Sequence, residues 1–173
     1  MVEQTPGMPD HWARLWAPHR MEYLKGENRP LGSQPVACPF CRVPTLDDKE
    51  GLIVARGKSA YVVMNLYPYN AGHLLICAYR HVADLTDLTK EERDEISEMT
   101  AHAMVTLRKV SSPAGFNLGM NQGAVSGAGV AEHIHQHVVP RWSGDANFMP
   151  LIGQTKVMPV LLSQTRDELA AAW

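Results

Sequence analysis

Residues 133–142 read His-Ile-His-Gln-His-Val-Val-Pro-Arg-Trp, and this stretch limits the fold more than any other. Alternation with a period of two, followed by a β-branched pair, is the pattern of an extended strand with His133, His135 and His137 on one face. Same-face neighbours on a strand stand ~6.6–6.8 Å apart, so a phosphate or a metal ion can lie against two imidazoles that are too far apart to bond each other. An imidazole with a pKa near ~6.5 is substantially neutral at pH 7, and can attack phosphorus, leave again or donate a proton. Three readings stay open on these residues alone: exposed histidines on an edge strand, a metal site built on His-x-His, and a nucleophilic centre.

At 173 residues the chain reads as one domain with enough length to bury a core. A net charge of −2 gives no general electrostatic reason to bind nucleic acid, so none is expected as a partner, and a free nucleotide would be held by local donors. No basic-then-apolar leader opens the sequence and no stretch approaches the ~20 apolar residues of a membrane span, so a cytoplasmic protein without a membrane partner is expected. Three cysteines, two of them as Cys38-Pro-Phe-Cys41, point to metal or redox use rather than a disulfide framework. Cys77, on a strand, reads as a small buried hydrophobe.

In chain order, a short helix interrupted at Pro18 is expected over 11–24, with Trp12 and Trp16 packing, then a loop over 25–36. Strands follow at 52–55, 60–64 and 73–79, the first two joined by the hairpin signal Arg56-Gly-Lys-Ser59. Thr89 with Glu92 three residues on is a capping box, and Ile96, Met99, Ala103, Met104 and Leu107 recur at helical spacing until Pro113 and Gly115 stop the helix. His102 falls beside that stripe and reads as surface or packing. A strand at 116–120, a glycine-rich loop at 122–129, the histidine strand at 133–139, a turn at Gly144-Asp145 and an amphipathic helix over 159–172 presenting Val160, Leu161, Leu162 and Leu169 complete the chain. The fold class is α+β, an antiparallel sheet of about five strands with one long and one C-terminal helix.

The central stretch resembles the histidine triad signature His-φ-His-φ-His-φ-φ, and Gln136 departs from it at an apolar slot on the opposite face from the imidazoles. Asn65, Gly72-His73-Leu-Leu-Ile76, Arg80-His81-Val-Ala-Asp-Leu85 and the 117–123 block extend the likeness in order, from about Cys38 to about Pro159. Trp16, Arg20–Tyr23, the cysteine pair and Arg141–Pro150 resemble a bacterial branch similar to diadenosine tetraphosphate phosphorylases and hydrolases. The resemblance implies a single HIT-like domain over 1–173 (an N-terminal extension 1–36, a core 37–159, a C-terminal helix 160–173). It also implies a homodimer joined sheet to sheet, adenine nucleotide or dinucleoside polyphosphate substrates, and a nucleotidyl-histidine intermediate resolved by water or by inorganic phosphate.

On the same resemblance, which extends to galactose-1-phosphate uridylyltransferases, His81 and His133 join Cys38 and Cys41 around a structural zinc; reduced thiols or a redox pair are the other readings of the cysteines. With His133 so held, His135 is the nucleophile and His137 the hydrogen-bond donor to phosphate oxygens. Asn65 would bind ribose, Asn121 the phosphate chain, and Ser126, Gly127 and Gly129 would present backbone or hydroxyl donors to phosphate. Turn-capping is the alternative for both asparagines. Many relatives carry glutamine or serine at the position of Gly129, so the resemblance leaves open the donor set and the choice between water and phosphate as acceptor. His73 reads as a structural hydrogen-bonder. A zinc hydrolase with a catalytic metal on the triad, and a nucleotide-binding protein without turnover, are the competing functions.

Overall fold

The computed structural model describes residues 38–145 and 158–173. The expected helix over 11–24, the 25–36 loop, Trp16, Arg20–Tyr23 and the segment Ala146–Pro150 lie outside the described residues. Alternating apolar runs between turn residues become five strands, β1 (Ile53–Arg56), β2 (Ala60–Met64), β3 (Leu74–Ala78), β4 (Gly115–Met120) and β5 (His135–Arg141). Every pairing is antiparallel and the order is β1-β2-β3-β5-β4, the α+β sheet expected. Among the described residues three α-helices accompany it: α1 (Pro39–Arg42), α2 (Lys90–Ser111) and α3 (Leu162–Ala172). Among the described residues no helix is long and apolar enough to cross a membrane.

Period-two alternation sorts the strands into two cores. Val62, Met64, Leu74, Ile76 and Val138 face α2 and α3, against Ile96, Met99, Ala103, Leu107 and Leu169. Tyr61, Val63, Leu75 and Cys77 face the other way, toward Phe40 and Val43. Cys77 is buried, as its strand position implied. The two longer helices, α2 and α3, thus cover one face of the sheet, and the other face carries the site.

The capping box at the start of α2 forms as expected. The Thr89 hydroxyl accepts the Glu92 N–H, and the Glu92 carboxylate accepts the Thr89 N–H at 2.7 Å. That carboxylate also takes Nε and an Nη of Arg80, at 2.9 and 2.7 Å, and Arg80 further donates to the Asp87 carbonyl, so the end of β3 is tied to the start of α2. The helix stops at Ser112, which adopts the left-handed conformation at φ 47°, one residue before Pro113.

Some boundaries differ from the sequence reading. Leu52 has φ 53°, which no extended strand accommodates, so β1 begins at Ile53. The last helix begins at Leu162, leaving Val160 and Leu161 exposed, because its buried stripe is made by Arg166 and Leu169. Arg166 donates to the Ile53 carbonyl at 2.6 Å, at the register shift in β1. His102 is exposed and stacks on Trp173, ring centroids 4.3 Å apart.

Arg80 and the helix N-terminus hold the Glu92 carboxyl down to about 2, from an ordinary 4.5. A depressed carboxylate stabilises the fold above its unfolded pKa and loses that contribution as pH falls through the folded value. Glu92→Gln is expected to lower unfolding free energy by about 1–3 kcal/mol at pH 7. The gap from wild type should narrow as urea melts are taken from pH 4.5 toward about 2.

Candidate active site

The strand carrying the triad starts at His135, not at His133. The Ile134 N–H leaves the sheet ladder to bond the Val82 carbonyl at 2.7 Å, and His133 turns into a separate cluster with His81 and the two cysteines. The expected row of three is therefore a pair plus one. His135 pairs in register with Cys77 and His137 with Leu75, which places both on the face away from α2. Their rings lean together to 4.9 Å between centroids, closer than the strand repeat alone would give.

Hydrogen bonds assign each ring its tautomer. A carbonyl can only accept, so His135 Nδ1, 2.8 Å from the His133 carbonyl, carries the proton and leaves a lone pair on Nε2. His73 Nδ1 accepts the Tyr69 backbone N–H at 3.0 Å, with the Asn65 amide nitrogen 3.2 Å away. The His73 proton is therefore on Nε2, which donates to His137 Nδ1 at 2.9 Å. His137 in turn carries its proton on Nε2, a buried atom without a hydrogen-bond partner among the described residues. One imidazole offers a lone pair and its neighbour an N–H. Burial lowers the pKa of His135, and burial with the nearby His135 ring pushes His137 down to about 4, so both are neutral at pH 7.

Cys38 and Cys41 bracket the first turn of α1. Cys38 Sγ lies 3.4 Å from His133 Nδ1, and Cys41 Sγ lies 3.3 Å from His81 Nδ1 and 3.5 Å from His133 Nδ1. The four donor atoms fall within 4.8 Å of one another, a set that could hold a metal ion. Among the described residues this is the group with that capacity, and it leaves out His135 and His137. His133 Nε2 donates to the Ala78 carbonyl at 2.9 Å, which aims Nδ1 at the thiols. Burial and the neighbouring Cys38 push the Cys41 thiol up to about 11.

The remaining expected residues are placed as follows. Asn65 Oδ1 accepts the Tyr67 N–H at 3.0 Å, an Asx turn, so it caps its loop while its amide faces His73. Asn121 follows Met120, which pairs with Gln136, and so sits beside the start of β5. The Ser126 hydroxyl donates to the Gly123 carbonyl at 2.7 Å within a 3-10 turn, and Gly123 and Gly127 take φ of 77° and 87°, which glycine alone adopts freely. Gly129 is half-buried four residues before His133. Gln136 donates to the carbonyls of Gly119 and His137, at 3.2 and 2.9 Å.

Two neighbours of the site escape the sequence reading. Phe40, between the cysteines, packs 4.7 Å from the His135 ring and 5.6 Å from His133, and its carbonyl accepts the Tyr61 hydroxyl at 2.7 Å. Tyr69 stacks on His137 at 5.4 Å and 17°. Each has a sequence signal, an aromatic inside Cys-x-x-Cys and one four residues before His73, but nothing local says which ring each would meet.

A strand-borne His-x-His with opposed tautomers, on the face of a five-stranded antiparallel sheet turned away from α2 and α3, defines the class: the chain belongs to the HIT domain family, whose model matches residues 47–144. Among curated proteins it is 50% identical to the AP-4-A phosphorylase of Mycobacterium tuberculosis, over 100% of this chain and 90% of that one. It is 32% identical to the asymmetrical bis(5'-nucleosyl)-tetraphosphatase of Schizosaccharomyces pombe, over 52% of this chain and 49% of that one. Among solved structures, a zinc-bound histidine triad family protein from Mycobacterium smegmatis superposes with a TM-score of 0.64 at 22% identity, covering 80% of this chain and 94% of that chain.

The tautomer assignment is directly testable by ring-nitrogen NMR of the histidines. We expect His135 protonated at Nδ1 and His137 at Nε2. In His73→Phe, which removes the donor to His137 Nδ1, His137 should become a mixture of tautomers while His135 is unchanged.

Proposed function

We propose that the protein cleaves dinucleoside polyphosphates of the diadenosine tetraphosphate type through a nucleotidyl group on His135. The observation that carries this reading is the opposed pair of tautomers. His135 Nε2 has the lone pair that a nucleophile needs, and His137 Nε2–H is the donor that a leaving phosphate oxygen needs. In the first step a P–N bond forms between His135 Nε2 and the α-phosphorus while the P–O bond to the rest of the polyphosphate breaks. The departing polyphosphate is a stable anion, so a hydrogen bond from neutral His137 suffices to stabilise it and no full proton transfer is required. The positive charge left on the His135 ring is shared through Nδ1–H with the His133 carbonyl. In the second step an oxygen of phosphate or water attacks phosphorus, the P–N bond breaks and its electron pair returns to Nε2, and the proton that an attacking water gives up passes to solvent. The 50% identical AP-4-A phosphorylase supports phosphate as acceptor.

By this reading Asn65 and Asn121 contact ribose and phosphates, and the 123–129 loop contributes donors through Ser126, Gly127 and Gly129. The four-donor cluster fits a structural zinc. Zn–S near ~2.3 Å and Zn–N near ~2.0–2.1 Å in a tetrahedron require S···N separations of about 3.5 Å, and the observed separations are 3.3, 3.4 and 3.5 Å. Bound there, zinc would supply a fixed cross-link between α1, the segment after β3 and the start of β5. Exposed Leu118 on β4, at the edge of the sheet, suits a homodimer joined sheet to sheet.

Incubation with diadenosine tetraphosphate, with and without inorganic phosphate, tests the activity. ATP plus ADP that require phosphate mean phosphorolysis; AMP plus ATP, or ADP alone, without phosphate mean hydrolysis. His135→Ala should lower turnover by more than about a thousandfold, and a variant that keeps full activity removes the reading. For the metal, wild type should carry about one zinc per chain and Cys38→Ser much less, with chelation lowering the melting temperature. Chelation that abolishes turnover at an unchanged melting temperature would instead favour a catalytic metal.

A further inference from the structure

The connection between β2 and β3, residues 65–73, carries three exposed large apolar side chains, Leu66, Tyr67 and Tyr69, of which Tyr67 is 85% and Tyr69 47% exposed. Exposed aromatics on a loosely held loop would mean little, but this loop is pinned at several points. The Tyr67 N–H is held by Asn65 Oδ1 and the Tyr69 N–H by His73 Nδ1. Asn70 donates to the Pro140 carbonyl at 3.1 Å and to Asp145 at 2.8 Å, and Asp145 is gripped by Arg141 Nε at 2.6 Å. The Tyr69 ring lies nearly parallel to that of His137 and 4.6 Å from that of His73.

The ring contacts run in a definite order. Phe40 meets His135, His135 meets His137, and His137 meets Tyr69. Attack from His135 with His137 donating to the leaving oxygen places the outgoing part of the substrate on the His137 side, where Tyr69 is an exposed ring in contact with His137. A planar aromatic there matches one chemical group in particular, the π-face of a nucleobase, which stacks on aromatic side chains with little regard to base identity.

We propose that Tyr69, with Tyr67 beside it, is a stacking shelf for the nucleobase of the departing nucleotide. This inference rests on the assignment of His135 as the attacking group. The shelf makes the protein prefer a polyphosphate that ends in a second nucleoside over one that ends in a bare phosphate. Because stacking is tolerant of base type, it selects for the presence of that nucleoside and not for adenine over guanine.

The test compares diadenosine tetraphosphate with adenosine 5'-tetraphosphate, which has the same phosphate chain and lacks the second nucleoside. Binding is measured by calorimetry on His135→Ala protein, so that no turnover intervenes, and wild-type turnover is assayed separately. The dinucleotide should bind roughly tenfold more tightly. Adding Tyr67→Ala and Tyr69→Ala should erase that preference with little change in affinity for the mononucleotide, whereas Tyr69→Phe should keep it. Alanine retains the backbone N–H that bonds His73, so the site's hydrogen bonds survive the change. Equal affinities at the outset, a preference that persists in the double alanine variant, an equal loss for both ligands, or binding of neither would each overturn the shelf. Wild type that fails to turn over diadenosine tetraphosphate while the binding preference stands would sink the proposed function, and with it the departing-group assignment, and would leave Tyr67 and Tyr69 as a nucleobase-binding surface only.

Discussion

The hydrogen bond from His135 Nδ1–H to the carbonyl of His133, at 2.8 Å, sets the orientation on which the rest of the site depends. It fixes the tautomer of the ring and aims Nε2 away from the backbone. It is dependable because His133 is itself held at both ring nitrogens, by the Ala78 carbonyl at Nε2 and by the two cysteine sulfurs at Nδ1. The ring of His133 supplies one of four metal-type donors while its main chain faces the ring of His135. One residue thereby joins the cysteine turn to the histidine pair, and Phe40 makes a second link by packing its ring on both His133 and His135.

Burial gives these imidazoles their chemical character. In water a histidine at neutral pH is partly charged, and a charged ring has no lone pair with which to attack. Desolvation drives His133 and His137 down to about 4 and lowers His135 in the same direction. Burying polar rings is costly unless each nitrogen finds a partner. The chain from the Tyr69 N–H through His73 to His137 meets that requirement up to one atom, and the atom left over, His137 Nε2, is the one positioned to serve a ligand.

The far side of the sheet takes part at a distance. With α2 and α3 packed on one face, the other face is left to the histidines, and the Arg80–Glu92 pair ties the end of β3 to the cap of α2. His81 follows Arg80 directly, so the contact that caps the long helix also places one member of the donor cluster. The loop bearing Asn65, Tyr69 and His73 is fastened at its other end through Asn70 and Asp145 to β5, which holds it in register with the strand whose histidines it orients.

Much of this is legible in the order of residues alone. The period-two spacing of His135 and His137, the Thr89–Glu92 capping box, the helical stripe from Ile96 to Leu107 and the Cys38–Cys41 turn are all short-range patterns, because each is set by the geometry of a single element. Tertiary structure decided what sequence spacing cannot express: that His73 would meet His137 across 64 residues and Cys38 meet His133 across 95. It also decided that Arg166 rather than Val160 would be buried, and which ring Phe40 and Tyr69 would each cover. Those contacts arise when β3 pairs with β5 and the loops close over them, and a pairing register is a property of two distant segments together. Chain chemistry alone thus specified which residues could react, and only the folded sheet specified which nitrogen of each would carry the proton.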